Sequence, residues 1–346
     1  MNPQAKLIFA TSIVLGTTIT ISSNHWMMAW AGLEINTLAI IPLISKSHHP
    51  RAIEASTKYF LTQATASTLL LFSSMTNAWF TGQWDITQLT HPTSCMLLTA
   101  AISMKLGLAP FHFWFPEVLQ GSSLMTSLLL ATVMKFPPIT LLFLTSPSLN
   151  PTLLLVMAIT SAALGGWMGL NQTQIRKIMA FSSISHLGWM AVILLYSPKL
   201  TLVTFYLYSL TTATIFFILN SANIMKLSTL MTAWSKIPTL TATLMLTLLS
   251  LAGLPPLTGF LPKWVVIQEL AKQELTTPAT IITLLSLLSL FFYLRLAYCA
   301  TITLPPNSAN HMKQWQSNKS VNTLTSVLVM LSITLLPMSP MILTIP

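Results

Sequence analysis

Apolar runs of about 20 residues follow one another along the whole 346-residue chain with only short connections between them, and each is long enough to cross a hydrocarbon core of ~30 Å. Inside such a core the backbone has no water to bond to, so a spanning segment has to satisfy its amides internally, and runs of this length do so as helices. Charged residues make up 6% of the chain and hydrophobic ones 53%, against about a quarter charged in soluble domains. Lipid is therefore the main solvent, and the expected fold is an all-α polytopic membrane protein. The whole chain, 1–346, reads as a single integral membrane domain with nothing left for a soluble one. The opening "MNPQAKLIFATSIVLGTTITI" has neither a small-residue cleavage site nor the Arg-rich character of a transit peptide, and reads as the first span.

The pattern predicts eleven transmembrane helices, near 3–21, 25–44, 57–80, 95–116, 123–144, 151–170, 175–195, 200–222, 239–271 in two pieces, 276–303 and 322–344. Alternating sides then sorts the loop charges. Lys6, Lys46, Arg51, Lys58, Arg176, Lys177, Lys226, Lys236, Lys313 and Lys319 share the N-terminal side, whereas Lys199, Lys272, Asp85, Glu269 and Glu274 face the other. This bias places the N-terminus on the matrix or cytoplasmic face. The net charge of +10 is mostly this topology signal, spread over five loops, so no nucleic-acid partner is expected. His48 and His49 beside Arg51 invite a metal reading, but a solvated loop explains them as well. Cys95 and Cys299 stand far apart without a Cys-x-x-Cys pair, and buried small side chains account for them better than an iron–sulfur or zinc site. No Gly-rich nucleotide fingerprint follows a strand. No cofactor and no metal are expected on this chain.

Four charges fall inside spans rather than loops: Glu34, Lys105, Lys135 and Lys263. The first three lie near the middle of their helices, where an ionised side chain costs roughly 2.5–3.5 kcal/mol by insertion scales and usually lines a hydrated path or faces a partner. One alternative is a buried ion pair, Glu34 with Lys105, that only fixes packing. Three lysines to one carboxylate leave at least two unpaired, and an unpaired buried charge destabilises. Lysine, unlike arginine, can give up its proton when buried. Proton handling is the expected role.

The stretch "GLAPFHFWFPEV", 107–118, has a twin in "GLPPLTGFLPKW", 253–264. Gly107 matches Gly253, Pro110 matches Pro256, Pro116 matches Pro262, and Glu117 falls opposite Lys263, without gaps. One stretch interrupts the fourth span and the other the ninth. Five spans per repeat would invert the second copy, giving two five-helix inverted repeats, 1–145 and 146–303, each with a Pro-broken helix, followed by a loop and C-terminal helix over 304–346. Proline removes a backbone donor and frees carbonyls at membrane depth, and Lys105 and Lys263 lie beside these breaks. Prolines that merely kink two long helices are the plainer alternative. Pro137 and Pro138, just after Lys135, predict a further kink near the middle of the fifth span. His112 in the first break and His186, in "FSSISHLGWM" with Ser182, Ser183 and Ser185, are candidate relays because imidazole titrates near neutrality. A hydrogen-bonded core histidine is the alternative for each.

Taken together, "MNP", "WAGLEINTLAIIPLI", "SMKLGLAPFHFWFPEVLQG", "QTQIRKIMAFSSISHLGWM" and "SLAGLPPLTGFLPKW" resemble the chain-2 family of mitochondrial NADH:ubiquinone oxidoreductase, respiratory complex I, over the full length. The resemblance implies an antiporter-like, proton-translocating subunit of the membrane arm in the mitochondrial inner membrane, a component of an H+-translocating NADH:ubiquinone reductase that performs no redox chemistry itself. It implies that Glu34 pairs with Lys105, that Lys135 is the central lysine, and that Lys263 lies toward the exit. It also implies that FMN, iron–sulfur clusters and ubiquinone belong to other subunits, and that the partners are those subunits, neighbouring antiporter-like chains among them, and lipids such as cardiolipin. The chain departs from larger members by lacking three N-terminal helices. Three other readings are open: a stand-alone cation/proton antiporter, a structural or assembly subunit without its own proton path, and a quinone site near Trp114 and Trp264.

Overall fold

A computed structural model describes residues 2–301 and 323–338, and its regular structure among them is helical. In chain order the helices are α1 (Pro3–Ser22), α2 (Trp26–Ile44), α3 (Pro50–Thr81), α4 (Pro92–Leu106), α5 (Trp114–Gly121), α6 (Leu124–Ala131), α7 (Phe136–Thr145), α8 (Pro151–Gly169), α9 (Ile175–Leu194), α10 (Pro198–Ala222), α11 (Leu227–Lys236), α12 (Pro238–Ala252), α13 (Phe260–Lys272), α14 (Thr276–Thr301) and α15 (Thr323–Thr334). The expected all-α class holds. Lys313, Lys319, most of the 304–346 segment and the ends of the spans expected at 276–303 and 322–344 lie outside the described residues.

The expected count of eleven is not reached by single apolar helices. Seven among the described residues are long and apolar enough to cross a membrane, one of them the composite Leu124–Ser148. The broken segments fall short because each half is too short. α3 falls short in hydropathy, since it buries Ser56, Gln63, Ser67, Ser73, Ser74 and Asn77 on its inner face. It also begins earlier than its apolar run. Pro50 occupies the first helical position, where its missing N–H costs nothing, and His49 Nδ1 accepts the Arg51 amide at 3.2 Å. At 32 residues the helix is about 48 Å long, which carries Arg51, Glu54 and Lys58 beyond the apolar layer.

Helix α11 was expected only as loop. Its ten residues are too few to span, but Leu230 and Ala233 are buried, and the Lys226 amide is capped by Thr229 Oγ1 at 3.1 Å. It packs on α12 and α14. The span expected at 123–144 is likewise two helices, α6 and α7, joined by a 3-10 turn at Val133–Lys135. The kink expected near the middle of this span is therefore present, as the 3-10 turn that ends at Lys135. Pro137 and Pro138 cannot donate to Val133 and Met134, so regular helix stops on their N-terminal side.

Helix α9 is the axis of the molecule. Seventeen of its twenty residues are buried, against three of twenty in α1, whose Leu7, Ile8, Val14 and Leu15 point outward. Residues of α9 enter both large apolar clusters, Phe181 and Ile184 in one and Leu187 and Trp189 in the other. Lipid tails do not drive such helices together, so small residues that admit a close approach do the work. A Cβ on Gly188 would lie 2.5 Å from Ser161 Oγ and 2.7 Å from the Ala158 carbonyl; one on Gly165 would lie 2.7 Å from the Ser185 amide. α8 and α9 therefore pack backbone to backbone at both places. Gly188→Ala is expected to push them apart at a cost of about 1–3 kcal/mol, read as a lower thermal midpoint in detergent; an unchanged midpoint would show that the pair can slide without loss.

Candidate functional site

Both sequence twins fold as true helix breaks with the same construction. α4 stops at Leu106 and Gly107 turns out of it at φ +77°; α12 stops at Ala252 and Gly253 does so at φ +83°. These left-handed values explain why glycine stands at both positions. Pro110 and Pro256 lie at the exposed tips of the turns, and Pro116 and Pro262 are each the third residue of the helix that resumes, α5 and α13.

A side chain from beyond each break reaches back to a carbonyl of the helix before it. Trp114 Nε1 donates to the Met104 carbonyl at 3.1 Å, and Lys263 Nζ donates to the Ala252 carbonyl at 2.7 Å. Lys263 is thus bound to the break it adjoins, and its chain covers Gly253, where a Cβ would fall 2.9 Å from Lys263 Cδ.

Two small internal cavities adjoin the breaks. The first, about 20 Å³, is lined by Tyr59, Gln63, Lys105, Phe115, Lys135 and their neighbours, with Pro137 and Pro138 in its wall. The second, also about 20 Å³, is lined by His186, Tyr208, Thr211, Pro262, Lys263 and their neighbours. Each has room for about one water, and polar groups to hold it. Among the lining hydroxyls, Thr37 in the first and Thr204 and Thr211 in the second donate to carbonyls of their own helices, at 2.9, 2.9 and 3.0 Å.

The ionisable groups are placed as follows. Lys105 and Lys135 are 6% and 3% exposed, and their ammonium groups have no hydrogen-bond partner; one carboxylate oxygen of Glu34 is likewise buried without one. Glu34 and Lys105 are not in ion-pair contact in this structure, although Leu33, Asn36 and Thr37 of the Glu34 turn line the cavity that holds Lys105. The Lys135 ammonium lies over the Phe115 ring at 4.4 Å and over the Tyr208 ring at 5.6 Å. Lys263 faces Trp189 at 6.0 Å. His186 packs its ring against Tyr208 at 5.5 Å, with Nε2 unpartnered. His112 is buried against Phe113 in the first turn and lines neither cavity. Trp114 lines the first cavity, whereas Trp264 is half exposed and lines neither.

Several contributors escape a reading based on charge and proline. Tyr59, Phe115 and Tyr208 look like ordinary apolar positions in the sequence, and only their position beside lysines singles them out. Arg295, a fifth charge inside an expected span that the four named above leave out, bonds the Leu170 carbonyl at the end of α8, and Arg176 bonds the Ser122 carbonyl at the end of α5. Both cap helix C-termini. Glu117, opposite Lys263 in the repeat, instead joins Lys58 at 2.6 Å on the rim, where Glu54 takes the same ammonium at 2.6 Å. His49 caps α3, and among the described residues no cluster of His, Cys, Asp or Glu is arranged to hold a metal.

The family model described as NADH:quinone oxidoreductase/Mrp antiporter, TM, matches residues 23–291, and that of the NADH dehydrogenase subunit 2 C-terminus matches residues 290–343. Among curated proteins, NADH-ubiquinone oxidoreductase chain 2 of Struthio camelus is 75% identical over 99% of both chains, and that of Gallus gallus is 72% identical over 99% of both. Among solved structures, a chain of respiratory complex I from Thermus thermophilus with bound aureothin superimposes with a TM-score of 0.83 at 25% identity, covering 96% of this chain and 79% of that one. A chain of the Mrp complex from Dietzia sp. shares the fold with a TM-score of 0.81 at 15% identity, covering 96% and 75%. Identity of this extent over virtually the whole of both chains has one meaning: the chain belongs to the NADH-ubiquinone oxidoreductase chain 2 family, within the broader group of antiporter-like membrane proteins.

Proposed function

We propose that the chain is a core membrane-arm subunit of respiratory complex I in the mitochondrial inner membrane, where it translocates protons in response to NADH oxidation and ubiquinone reduction carried out by other subunits. The observation that carries this reading is the placement of Lys105, Lys135 and Lys263 around two small buried cavities, each cavity beside a helix break. FMN, iron–sulfur clusters and ubiquinone are assigned to those other subunits. The partners are the other subunits of the complex, neighbouring antiporter-like chains among them, with lipids such as cardiolipin around the arm and no nucleic acid. The N-terminus faces the matrix by the loop-charge bias, and residues 1–145 and 146–303 form two inverted five-helix repeats.

Protons taken up from the matrix reach Lys105, pass to Lys135, cross to the cavity of His186 and Lys263, and leave toward the intermembrane space. Each handover needs a group that carries the charge briefly in a region of low dielectric, and a lysine shielded from bulk water does this. Glu34 is the switch: its charge and its distance from Lys105 decide whether that lysine keeps its proton. His186 is placed for the second handover; His112, off both cavities, is a weaker relay. An isolated antiporter would transport without the rest of the complex, and a scaffold subunit would pump normally with its internal charges neutralised.

In fully assembled complex reconstituted into liposomes, Lys105→Ala is expected to lower coupled turnover by roughly 10²-fold, the scale of losing a positioned proton-transfer group, while hydrophilic-arm NADH oxidation with an artificial acceptor is unchanged. Unaltered proton translocation per NADH would reduce the first break to a hinge. Glu34→Gln is expected to assemble normally and to slow coupled turnover about tenfold, the equivalent of ~1.4 kcal/mol of lost charge interaction; wild-type pumping in that variant would remove Glu34 from the mechanism.

A further inference from the structure

The Lys135 ammonium has no hydrogen-bond acceptor, and what it has instead is two aromatic faces. Phe115 presents its ring at 4.4 Å from Nζ and Tyr208 at 5.6 Å. Both distances are within the reach of a cation–π contact, which is strongest where the cation is desolvated. The two rings come from different helices and line different cavities. Phe115 belongs to α5, just beyond the first break, and lines the cavity of Lys105; Tyr208 belongs to α10 and lines the cavity of His186 and Lys263.

Neither ring is free to turn away. Phe115 is 1% exposed and meets Trp114 edge to face at 5.4 Å, while Tyr208 is 4% exposed and packs between Phe205 at 6.2 Å and His186 at 5.5 Å. Phe205 in turn meets Phe136, the residue after Lys135, edge to face at 4.7 Å. The residue that follows the lysine is thereby fixed to the same turn of α10 that supplies the second ring. Lys135 itself sits at the end of the 3-10 turn that divides α6 from α7, so its backbone has no regular helix on its N-terminal side to set its direction. The rings supply that direction.

We propose that Phe115 and Tyr208 form an aromatic clamp that seats the Lys135 ammonium at the partition between the two cavities, so that charge crosses from one to the other through this lysine rather than through connected water. The clamp rests on the proton-path reading given above and adds two positioning residues to it. A ring face stabilises a cation without offering a proton acceptor, so the seat holds the charge and leaves its proton available to either side. Ordinary core packing would be served equally by an aliphatic side chain of similar volume, and the two roles part on that point.

The test uses assembled complex in proteoliposomes carrying Phe115→Leu, Tyr208→Leu, the ring-conserving Phe115→Tyr and Tyr208→Phe, and Lys135→Ala. Both leucine variants are expected to retain assembly and hydrophilic-arm NADH oxidation but to lose coupled turnover roughly tenfold, the scale of one desolvated cation–π contact. The ring-conserving variants are expected to stay within about twofold of wild type by the same reasoning. In a Lys135→Ala background the leucine exchanges are expected to add no further loss, since residues that act through one group are not additive. Wild-type pumping by the leucine variants while Lys135→Ala fails would overturn the clamp and leave the proton path standing. Tyr208→Phe as impaired as Tyr208→Leu would also overturn it, by transferring the role to the hydroxyl. Full pumping by Lys135→Ala would instead sink the path through this lysine. If a leucine variant does not assemble, Phe115→Met and Tyr208→Met, less branched and close in volume, are judged by the same criteria.

Discussion

A carbonyl released from a helix inside a bilayer has to find a donor, and most of what distinguishes this chain follows from where it releases them. Each break leaves acceptors at membrane depth, and in both cases the donor returns from the far side of the same break: an indole in one, an ammonium in the other. At the first break Trp114 takes the Met104 carbonyl, and the lysine beside it, Lys105, is left unattached. The second uses its lysine as the donor. Two segments that match in sequence consequently present their charges differently, one loose beside a cavity and one anchored at its edge.

Around these breaks the rest of the molecule acts as a rigid frame. α9 is buried on nearly every side and packs against α8 without intervening side chains at Gly165 and Gly188. It carries His186 and Trp189 into the second cavity and Phe181 and Ile184 into the apolar cluster that shares Tyr59 and Phe115 with the first. A cavity with room for a single water is sensitive to sub-ångström displacements of its walls, and close-packed helices of this kind do not yield continuously. That favours discrete states of the path over a graded one.

The sequence made the class, most span positions, both breaks and the internal lysines legible, because each depends on a local signal: run length, Gly and Pro at fixed offsets, or charge where charge is expensive. It did not reveal α11, whose short amphipathic pattern is too brief for a span. The kink near the middle of the fifth span was legible from Pro137 and Pro138, though not its form, a 3-10 turn dividing two helices. Tyr59, Phe115 and Tyr208 were illegible for a deeper reason. An aromatic residue in an apolar run carries no mark of what its face meets, and that depends on a lysine from another helix. The Glu34–Lys105 pairing expected from the family is likewise a statement about distance, and here no ion-pair contact joins the two, although Glu34 is near enough to act on the lysine electrostatically.

The hydroxyls on the cavity walls have a consequence for what those cavities can hold. Thr37, Thr204 and Thr211 each donate their hydroxyl hydrogen to their own helix, which leaves oxygen lone pairs as the hydrogen-bonding capacity they can offer a neighbour. Those lone pairs complement the lysines of the same walls, which can only donate. A single water between such a threonine and an ammonium would find both a donor and an acceptor, an arrangement set by how each hydroxyl is held to its own helix.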